Sequence, residues 1–355
     1  MTTTIPATMR SAVYRSPGVV DLVEAPMPAP GPGEALVEVA FCGICGSDIH
    51  FILEGWGQPD SVHGHEWSGV VVAVGDGVSE WVVGDRVVGG PSPTCGVCRP
   101  CRMARPALCT ERGTPGTGVS YGAFATHRLS ATDELVAVPD GLDLRGAALA
   151  EPLAVALHGL TQGGNPGPGS RVYVAGAGPI GALVIAALRA RGVEDITVCE
   201  PGSLRRDLAV ALGASRTVVP DDLEVPPMWE PMRVVDGAVD VAFECSGKGP
   251  ATEAALAQLD KAGTLVLVGA GIDAPTFVLN RILLNELVVT GAFEYDADGT
   301  EAAVELLAAG AIPTAALLEP GSVGLDDLVP TIERLARGEI AGKVLVAPNP
   351  GGSHE

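Results

Sequence analysis

Four closely spaced cysteines are the clearest chemical feature of this sequence. The segment CGVCRPCRMARPALC places them in a C-x2-C-x2-C-x7-C pattern, as Cys95, Cys98, Cys101 and Cys109. Four thiolates at such spacing can close a tetrahedron around zinc within one loop and leave no open position, which predicts a structural zinc site. An iron–sulfur cluster is one alternative, because four cysteines bind such clusters too. Unligated thiols are the other.

A second candidate site centres on the segment CGICGSDIHF, residues 42–51. It could be a disulfide corner, hold a buried reactive thiol or form one wall of a metal site. Cys45 lacks a neighbouring cysteine cluster, but GHEW supplies His65 and Glu66, and AEPLAVALH supplies Glu151. One thiolate, one imidazole and one or two carboxylates describe a catalytic zinc that keeps a position free for water or substrate. Spacing alone leaves open that His65 is an ordinary hydrogen-bonded histidine.

A glycine-rich turn follows the strand pattern VYVA. It places Gly176, Gly178 and Gly181 in a G-x-G-x-x-G spacing, with Pro179 and Ile180 inside the motif. The first glycine permits a tight turn, the second lets a pyrophosphate approach the backbone, and the third lets the helix approach the sheet. The N–H groups at the start of that helix favour phosphate. The alternative is an ordinary strand–helix turn that contains three glycines.

An acidic residue stands where a dinucleotide site needs one. Glu200 follows Gly181 by 19 residues and ends the next predicted strand. A carboxylate there accepts hydrogen bonds from the adenosine ribose hydroxyls. It would repel a 2′-phosphate, so Glu200 favours NAD. Arg205 and Arg206 lie nearby and leave NADP as the alternative.

The pattern of apolar residues predicts two units that position these groups. EALVEVA, SGVVVAVG and GDRVV read as strands joined by Gly-Asp turns, so the first 150 residues are predicted to be mostly β. After the Pro/Gly-rich stretch at GGNPGPG, strands and helices alternate, which predicts a parallel sheet covered on both faces. The predicted domains are 1–152 with 293–355, and 153–292.

The second unit is predicted in more detail from its start and stop signals. Ser203 is the expected N-cap of the helix SLRRDLAVALG, and Gly192 and Gly213 are expected to end helices. The predicted strands are RVYVAG, DITVCE, VDVAFECSG, TLVLVGAG and ELVVTGAF, and the predicted helices are GALVIAALRARG, SLRRDLAVALG and TEAALAQLDKAG.

Composition excludes several classes of partner. The 355 residues include 22 Lys+Arg and 43 Asp+Glu, a net charge of -21, so nucleic acid would be repelled. No apolar run approaches the ~20 residues that span a bilayer. The opening MTTTIPATMRSAVY lacks the basic start and apolar stretch of a signal peptide. These features predict a cytoplasmic protein with a small-molecule substrate. Because thiols stay reduced in the cytoplasm, this location disfavours a disulfide between Cys42 and Cys45.

Taken together, these residues resemble the zinc-dependent medium-chain alcohol dehydrogenase family, and its polyol, or sorbitol-type, branch in particular. The resemblance runs over nearly the whole chain. It implies a GroES-like β domain that carries both zinc sites, joined to a Rossmann domain, with the cofactor in the cleft between them. It also implies a homodimer or homotetramer. The motifs that carry it are CGICGSDIH, GHEWSG, VGDRV, the four-cysteine loop, AEPLAVALH, GAGPIG, FECSG and GKVLV.

The resemblance also implies roles for the ligands of the catalytic zinc. Cys45 and His65 match ligands of that zinc. Glu66 matches the carboxylate that ligates zinc directly in the polyol branch and lies behind it in others. Glu151 takes the place of the remaining ligand, either directly or through a water molecule.

Further positions match groups that serve the ligands or move the proton. Asp48 matches a carboxylate that orients the histidine ligand, and Lys343 falls where a basic residue neutralises the carboxylates. Ser47 matches the hydroxyl that receives the substrate proton, and His50 the relay toward solvent. The remaining thiols match no ligand and are expected to be small core residues: Cys42, Cys199 and Cys245.

Two departures from the sorbitol-type pattern bear on the substrate. Phe51 stands where those enzymes tend to have a tyrosine, and Glu294 where they tend to have an arginine. Polar groups at those positions help to hold a polyhydroxylated substrate. We therefore expect a secondary alcohol or a modified polyol rather than sorbitol itself. Phe51 and Trp56 could narrow the pocket, with ordinary core packing as the alternative.

Competing functions remain open from the sequence. A threonine-dehydrogenase-like or primary-alcohol activity is the alternative within enzymes. A nucleotide-binding regulator without catalysis is the alternative from another class. About two zinc ions per chain would support the enzyme, and one would support a structural remnant.

Overall fold

Two six-stranded sheets and a separate hairpin organise the part of the chain that this computed structural model describes, residues 5–89, 94–111 and 122–349. The strands are β1 (Thr8–Ser16), β2 (Val19–Pro26), β3 (Glu34–Gly43), β4 (Glu66–Val74), β5 (Arg86–Gly89), β6 (His127–Ala131), β7 (Leu135–Ala137), β8 (Arg171–Ala175), β9 (Asp195–Cys199), β10 (Arg216–Val218), β11 (Val239–Glu244), β12 (Leu259–Leu267), β13 (Val288–Gly291) and β14 (Leu345–Val346).

Helices connect and cover these sheets. They are α1 (Gly46–Ile52), α2 (Arg99–Arg102), α3 (Leu144–Ala147), α4 (Ala150–Gln162), α5 (Pro179–Ala190), α6 (Ser203–Ala211), α7 (Gly249–Ala257), α8 (Leu279–Asn285), α9 (Gly299–Ala308), α10 (Thr314–Leu317) and α11 (Leu328–Ala336). Within the described ranges, none of them is both long and apolar enough to cross a membrane.

The first sheet is antiparallel and holds the segment around Cys45. Its order is β14-β3-β4-β5-β7, and β6 also pairs with β3. The register places Gly43 opposite Glu66, so the end of β3 and the start of β4 meet just before α1. Trp67 and Phe124 are buried in the core of this unit. The β-rich first unit predicted from the sequence is confirmed.

The second sheet is parallel and follows the doubly wound order. Its strands run β10-β9-β8-β11-β12-β13, which is the 3-2-1-4-5-6 arrangement of a Rossmann fold. Strand order reverses between β8 and β11, and the crevice at such a point is where ligands bind. The predicted parallel α/β fold is therefore confirmed.

Two details of the predicted second unit are wrong. Helix α7 ends at Ala257, and Leu259 already belongs to β12, where it pairs with Val239. The segment LDKAG was assigned to the helix because helix and strand patterns are ambiguous over five residues. The N-cap of α6 is Gly202, and Ser203 is the first helical residue.

The last part of the chain packs on both units. Helix α9 buries Ala303 and Leu307 in the cluster that also contains residues of α4 and α5. Helix α11 instead buries Ile332 among residues of the first unit, and β14 pairs with β3. The chain therefore returns to the sheet that carries Cys45.

Candidate metal and dinucleotide site

Cys45 is held at the start of α1 by its own backbone. Its N–H donates a hydrogen bond to the Asp48 carboxylate over 2.8 Å. Asp48 is fully buried, and this burial raises the pKa of its carboxyl to about 6, against the opposing effects of His65 and the Cys45 N–H. The turn fixes the position from which the Cys45 thiol reaches the site.

Glu66 is buried behind the same segment with a lysine as its partner. The Lys343 ammonium donates to both carboxylate oxygens over 2.6 Å and to the Ile44 carbonyl over 3.0 Å. The side chains of Lys343 and Glu66 are 2% and 0% exposed. A Cβ atom added at Gly43 would lie 2.2 Å from a Glu66 oxygen, so only glycine leaves room for this pair.

Three predicted ligands come together at one point. One donor atom each from Cys45, His65 and Glu66 lies within 4.8 Å of the other two. Glu151, buried in the first turn of α4, is outside this group. The Ser47 hydroxyl lies 3.5 Å from His65 Nε2, at the rim of the cluster.

The charges around His65 favour a cation. Burial alone would lower the pKa of the His65 imidazole, but the Cys45 thiolate and the Asp48 and Glu151 carboxylates raise it well above its ordinary value. Burial raises the pKa of Glu151 to about 8, against the opposing charge of His65. A thiolate, an imidazole and a carboxylate are the donor set of a zinc site with an open position, so the residues fit this metal.

The four-cysteine loop forms a second, closed cluster. The sulfurs of Cys98 and Cys101 are 3.4 Å apart, those of Cys98 and Cys109 are 3.9 Å apart, and those of Cys95 and Cys109 are 3.6 Å apart. Zinc–sulfur bonds of about 2.3 Å in a tetrahedron require sulfur separations of about 3.8 Å. Hydrogen bonds from backbone N–H groups, first that of Cys101, lower the pKa of the Cys98 thiol to about 6. Cys98 therefore has the thiolate character that a zinc ligand requires, whereas burial and the neighbouring thiols raise the pKa of Cys101 to about 12 while no metal is bound.

The glycine-rich turn has the shape that a pyrophosphate needs. Gly176 has a φ of +88°, and a Cβ atom at Gly181 would lie 2.0 Å from the Gly176 carbonyl oxygen. Gly178 is the N-cap of α5, Pro179 is its first residue, and Ile180 follows. A Cβ atom at Gly178 would meet open space apart from the Arg205 guanidinium 4.0 Å away.

Glu200 is fixed beside this turn. Its carboxylate accepts hydrogen bonds from the Ala177 N–H over 2.9 Å and from the Gly202 N–H over 2.8 Å. Arg206 donates to the carbonyls of Glu200 and Pro201. Arg205 reaches away toward the carbonyls of Leu335 and Ile340, over 3.4 Å to each.

Sequence reasoning missed one contact at this site. The Glu54 carboxylate lies 2.7 Å from Nδ1 of His50, four residues earlier. The i, i+4 spacing of a histidine and a glutamate at the end of a short helix is a signal that could have found it. None of the eight cysteines, all of which lie in the described ranges, forms a disulfide. Cys42 and Cys199 are buried as expected, whereas Cys245 is only partly buried.

Family profiles match both units. The profile described as the alcohol dehydrogenase GroES-like domain matches residues 31–140. The profile described as zinc-binding dehydrogenase matches residues 179–309. The first range contains both predicted zinc clusters apart from Glu151, and the second begins inside the glycine-rich turn.

Similar proteins of known name and structure cover the whole chain. A sorbitol dehydrogenase of Bacillus subtilis is 32% identical over 98% of this chain and 100% of its own. The structure of 2R,3R-butanediol dehydrogenase from Bacillus subtilis is 31% identical, with a TM-score of 0.84 over 96% of this chain and 100% of that one. A structure described as a zinc-binding dehydrogenase of Sinorhizobium meliloti 1021 bound to NADP is 30% identical. Its TM-score is 0.85, and the match covers 97% of this chain and 100% of that one.

The two profiles follow the order of the two sheets along the chain, and the zinc-binding description of the second agrees with the presence of two clusters of metal-ligating side chains. The cofactors are zinc and NAD(P), and the reaction is hydride transfer between an alcohol and the nicotinamide. The chain belongs to the zinc-dependent medium-chain alcohol dehydrogenase family, within its polyol dehydrogenase branch.

Proposed function

We propose that this enzyme oxidises a secondary alcohol or a modified polyol with NAD, at a zinc held by Cys45, His65 and Glu66. The observation that supports this most strongly is the convergence of one donor atom from each of these residues within 4.8 Å. Glu151 is the candidate for a further ligand, directly or through water, because its charge acts on His65. Lys343 balances the negative charge of Glu66 from behind.

The protein groups around the metal handle the proton. Zinc at this position would make the alcohol hydroxyl more acidic, as it lowers the pKa of water from 15.7 to about 7. Ser47, at the rim of the ligand cluster, accepts the hydroxyl proton. His50 follows Ser47 by three residues on α1, on the same side of the helix, and passes the proton toward solvent. NAD, when bound, would supply the acceptor for the hydride of the carbinol carbon.

The glycine-rich turn and Glu200 bind the cofactor. Gly176, Gly178 and Gly181 let the pyrophosphate approach the start of α5, where backbone N–H groups are free to receive it. The buried Glu200 carboxylate is oriented toward the ribose hydroxyls by two backbone N–H groups. A fixed anion there disfavours a 2′-phosphate, so we propose NAD rather than NADP.

The domain division follows from the two sheets. We propose a catalytic domain of residues 1–152 and 293–355 and a coenzyme domain of residues 153–292. Pairing of β14 with β3 supports the return of the chain to the first domain. The coenzyme domain would contain the parallel sheet from β8 to β13.

Replacing Ser47 with alanine tests the proton path. We expect the Ser47→Ala variant to lose about a hundredfold or more of kcat with zinc content unchanged, because general acid–base help is worth ~10²–10⁴-fold. Steady-state kinetics with NAD and metal analysis measure both quantities. Ser79→Ala, an exposed serine outside the site, is the control. An unchanged rate in Ser47→Ala would remove this hydroxyl from the path.

A substrate panel tests the substrate class. Phe51 is stacked on the ring of His63, with centroids 5.0 Å apart. As a phenylalanine it has no hydroxyl group, whereas sorbitol-type enzymes tend to have a tyrosine at this position. The negative charge of Glu294 contributes to the raised pKa of Glu151, which indicates that Glu294 lies near the site. An acidic group therefore stands where sorbitol-type enzymes tend to have an arginine. We expect 2,3-butanediol or another secondary alcohol to have a higher kcat/KM than sorbitol, threonine or ethanol. Sorbitol as the best substrate would contradict this expectation.

One edge of the parallel sheet supports a homo-oligomer. Strand β13 ends the sheet order, so its outer side offers N–H and C=O groups for pairing. Val288 is 50% exposed, and Leu283 on the preceding α8 is 69% exposed. We propose a homodimer or homotetramer built on this edge, which sedimentation equilibrium would measure.

We also propose a cytoplasmic location. Eight free thiols in one chain suit a reducing compartment. Fractionation of cells that produce the protein would test this.

A further inference from the structure

The segment after α1, residues 54–57, folds back over His50. The Trp56 N–H donates to the His50 carbonyl over 3.1 Å, and the Gly57 N–H donates to the Phe51 carbonyl over 3.1 Å. Gly55, which separates Glu54 from Trp56, has a φ of +84°, a conformation that favours glycine. This turn brings a carboxylate and an indole ring to the imidazole of His50.

The two side chains define both the edge and one face of the imidazole. Glu54 Oε2 lies 2.7 Å from Nδ1 of His50. The indole of Trp56 is stacked on the ring, with centroids 4.6 Å apart and planes inclined by 18°. The side chain of His50 is 18% exposed and that of Glu54 is 45% exposed, so solvent reaches both groups.

The carboxylate determines which nitrogen of the ring can accept a proton. An ionised carboxylate only accepts hydrogen bonds, so the Nδ1 that faces it must carry the hydrogen. In neutral imidazole the other nitrogen, Nε2, then has the free lone pair.

We propose that Glu54 is a positioning residue for alcohol oxidation, which fixes His50 in the Nδ1–H tautomer so that Nε2 receives the proton from the Ser47 side. The inference rests on the proposed role of His50 as a relay. Trp56 supports it by restricting rotation of the ring. In the balanced step, the O–H bond of Ser47 breaks as Ser47 takes the proton of the alcohol, and one Nε2–H bond forms on His50. The Nδ1–H stays hydrogen-bonded to Glu54.

Kinetics of matched variants test the proposal. We expect Glu54→Leu to lower kcat about tenfold, part of the ~10²–10⁴-fold value of the proton transfer, with KM unchanged and a larger solvent deuterium isotope effect on kcat. Glu54→Gln keeps an acceptor oxygen without the charge and should lose less. Glu24→Gln is the control, since Glu24 is exposed on β2 and its carboxylate accepts a hydrogen bond from the Thr8 hydroxyl. The substrate is 2,3-butanediol, or whichever alcohol of the panel is oxidised fastest with NAD.

A double variant shows whether Glu54 acts through His50. If it does, His50→Gln with Glu54→Leu should have the same kcat as His50→Gln alone, because coupled residues are not additive. A further loss in the double variant would overturn the proposal.

Nuclear magnetic resonance of the histidine rings reads the tautomer directly. The chain has six histidines, so ¹⁵N-histidine labelling gives few signals, and the signal missing in His50→Gln identifies this ring. We expect the Nδ1–H form in the wild type and in Glu24→Gln, and loss of this form in Glu54→Leu. This readout does not depend on activity.

The outcomes separate this proposal from the proposed function. If His50→Gln is slow while Glu54→Leu keeps the wild-type kcat, isotope effect and tautomer, the relay stands and the role of Glu54 is refuted. If His50→Gln is as fast as the wild type, the relay and the role of Glu54 fail together, while the Ser47 and Cys45 variants still test the dehydrogenase function.

Discussion

Replacing Cys45 with alanine is expected to abolish alcohol oxidation while NADH still binds. The variant removes one of three donor atoms that converge within 4.8 Å, so zinc is lost from this position. A shift of the hydroxyl pKa comparable with that of zinc-bound water amounts to roughly 12 kcal/mol. No single hydrogen bond, worth about 1 kcal/mol net, replaces it. Kinetics, NADH fluorescence and metal analysis measure the three quantities, and zinc should fall from about two ions per chain to about one.

A neighbouring thiol provides the control for that experiment. Cys42 is fully buried in the same segment, and its sulfur contacts the Gly43 carbonyl and the backbone of Glu66. Cys42→Ala should keep both zinc ions and measurable turnover. Wild-type activity in Cys45→Ala would refute the assignment of a catalytic zinc to this cluster.

Replacing Cys98 with alanine is expected to impair stability more than chemistry. Its sulfur is within 3.9 Å of those of Cys101 and Cys109, and a tetrahedral zinc cannot close without it. Because binding of a structural metal is coupled to folding, we expect Tm to fall by on the order of 10 °C. Differential scanning calorimetry and metal analysis measure the change.

The control for Cys98 comes from the same loop. Met103 is 60% exposed and has no thiol, so Met103→Ala should keep both zinc ions and the wild-type Tm. A Cys98→Ala variant with unchanged Tm and a defect only in kcat would show that this cluster does not stabilise the fold.

Two features that the structure shares with the sequence-based prediction are encoded by short spacings. The four-cysteine cluster depends on 15 consecutive residues, and the glycine-rich turn on six. In both cases the backbone alone brings the side chains together, so a linear pattern carries the geometry. The parallel sheet was predictable for a similar reason, since apolar runs of β8, β9 and β11 alternate with helices along the chain.

Contacts between distant residues could not be read from spacing. Glu66 and Lys343 are 277 positions apart, and only the family resemblance suggested their association. The approach of Cys45 to His65 also depends on the pairing of β3 with β4, which brings Gly43 opposite Glu66. Residues at the end of α7 were misassigned because pairing of Leu259 with Val239 outweighs local preference.

The aromatic residues near α1 show a different limit. Phe51 and Trp56 were expected either to narrow the pocket or to pack in the core. Phe51 packs against the core of the first unit and stacks on His63, whereas Trp56 is 47% exposed and stacks on His50. A stacked pair depends on ring orientation, which the order of residues in a sequence does not contain.

The burial of Lys343 against Glu66 has a consequence for biosynthesis. Lys343 follows Glu66 by 277 residues. A ribosome that adds ~5–20 residues per second therefore synthesises Lys343 roughly 14–55 s after Glu66. Until then the carboxylate has no counter-charge, and enclosing it would be costly. The parallel sheet ends with β13 at Gly291, so all its strands are synthesised before Lys343, and the contact that neutralises Glu66 can form only after residue 343 has been added.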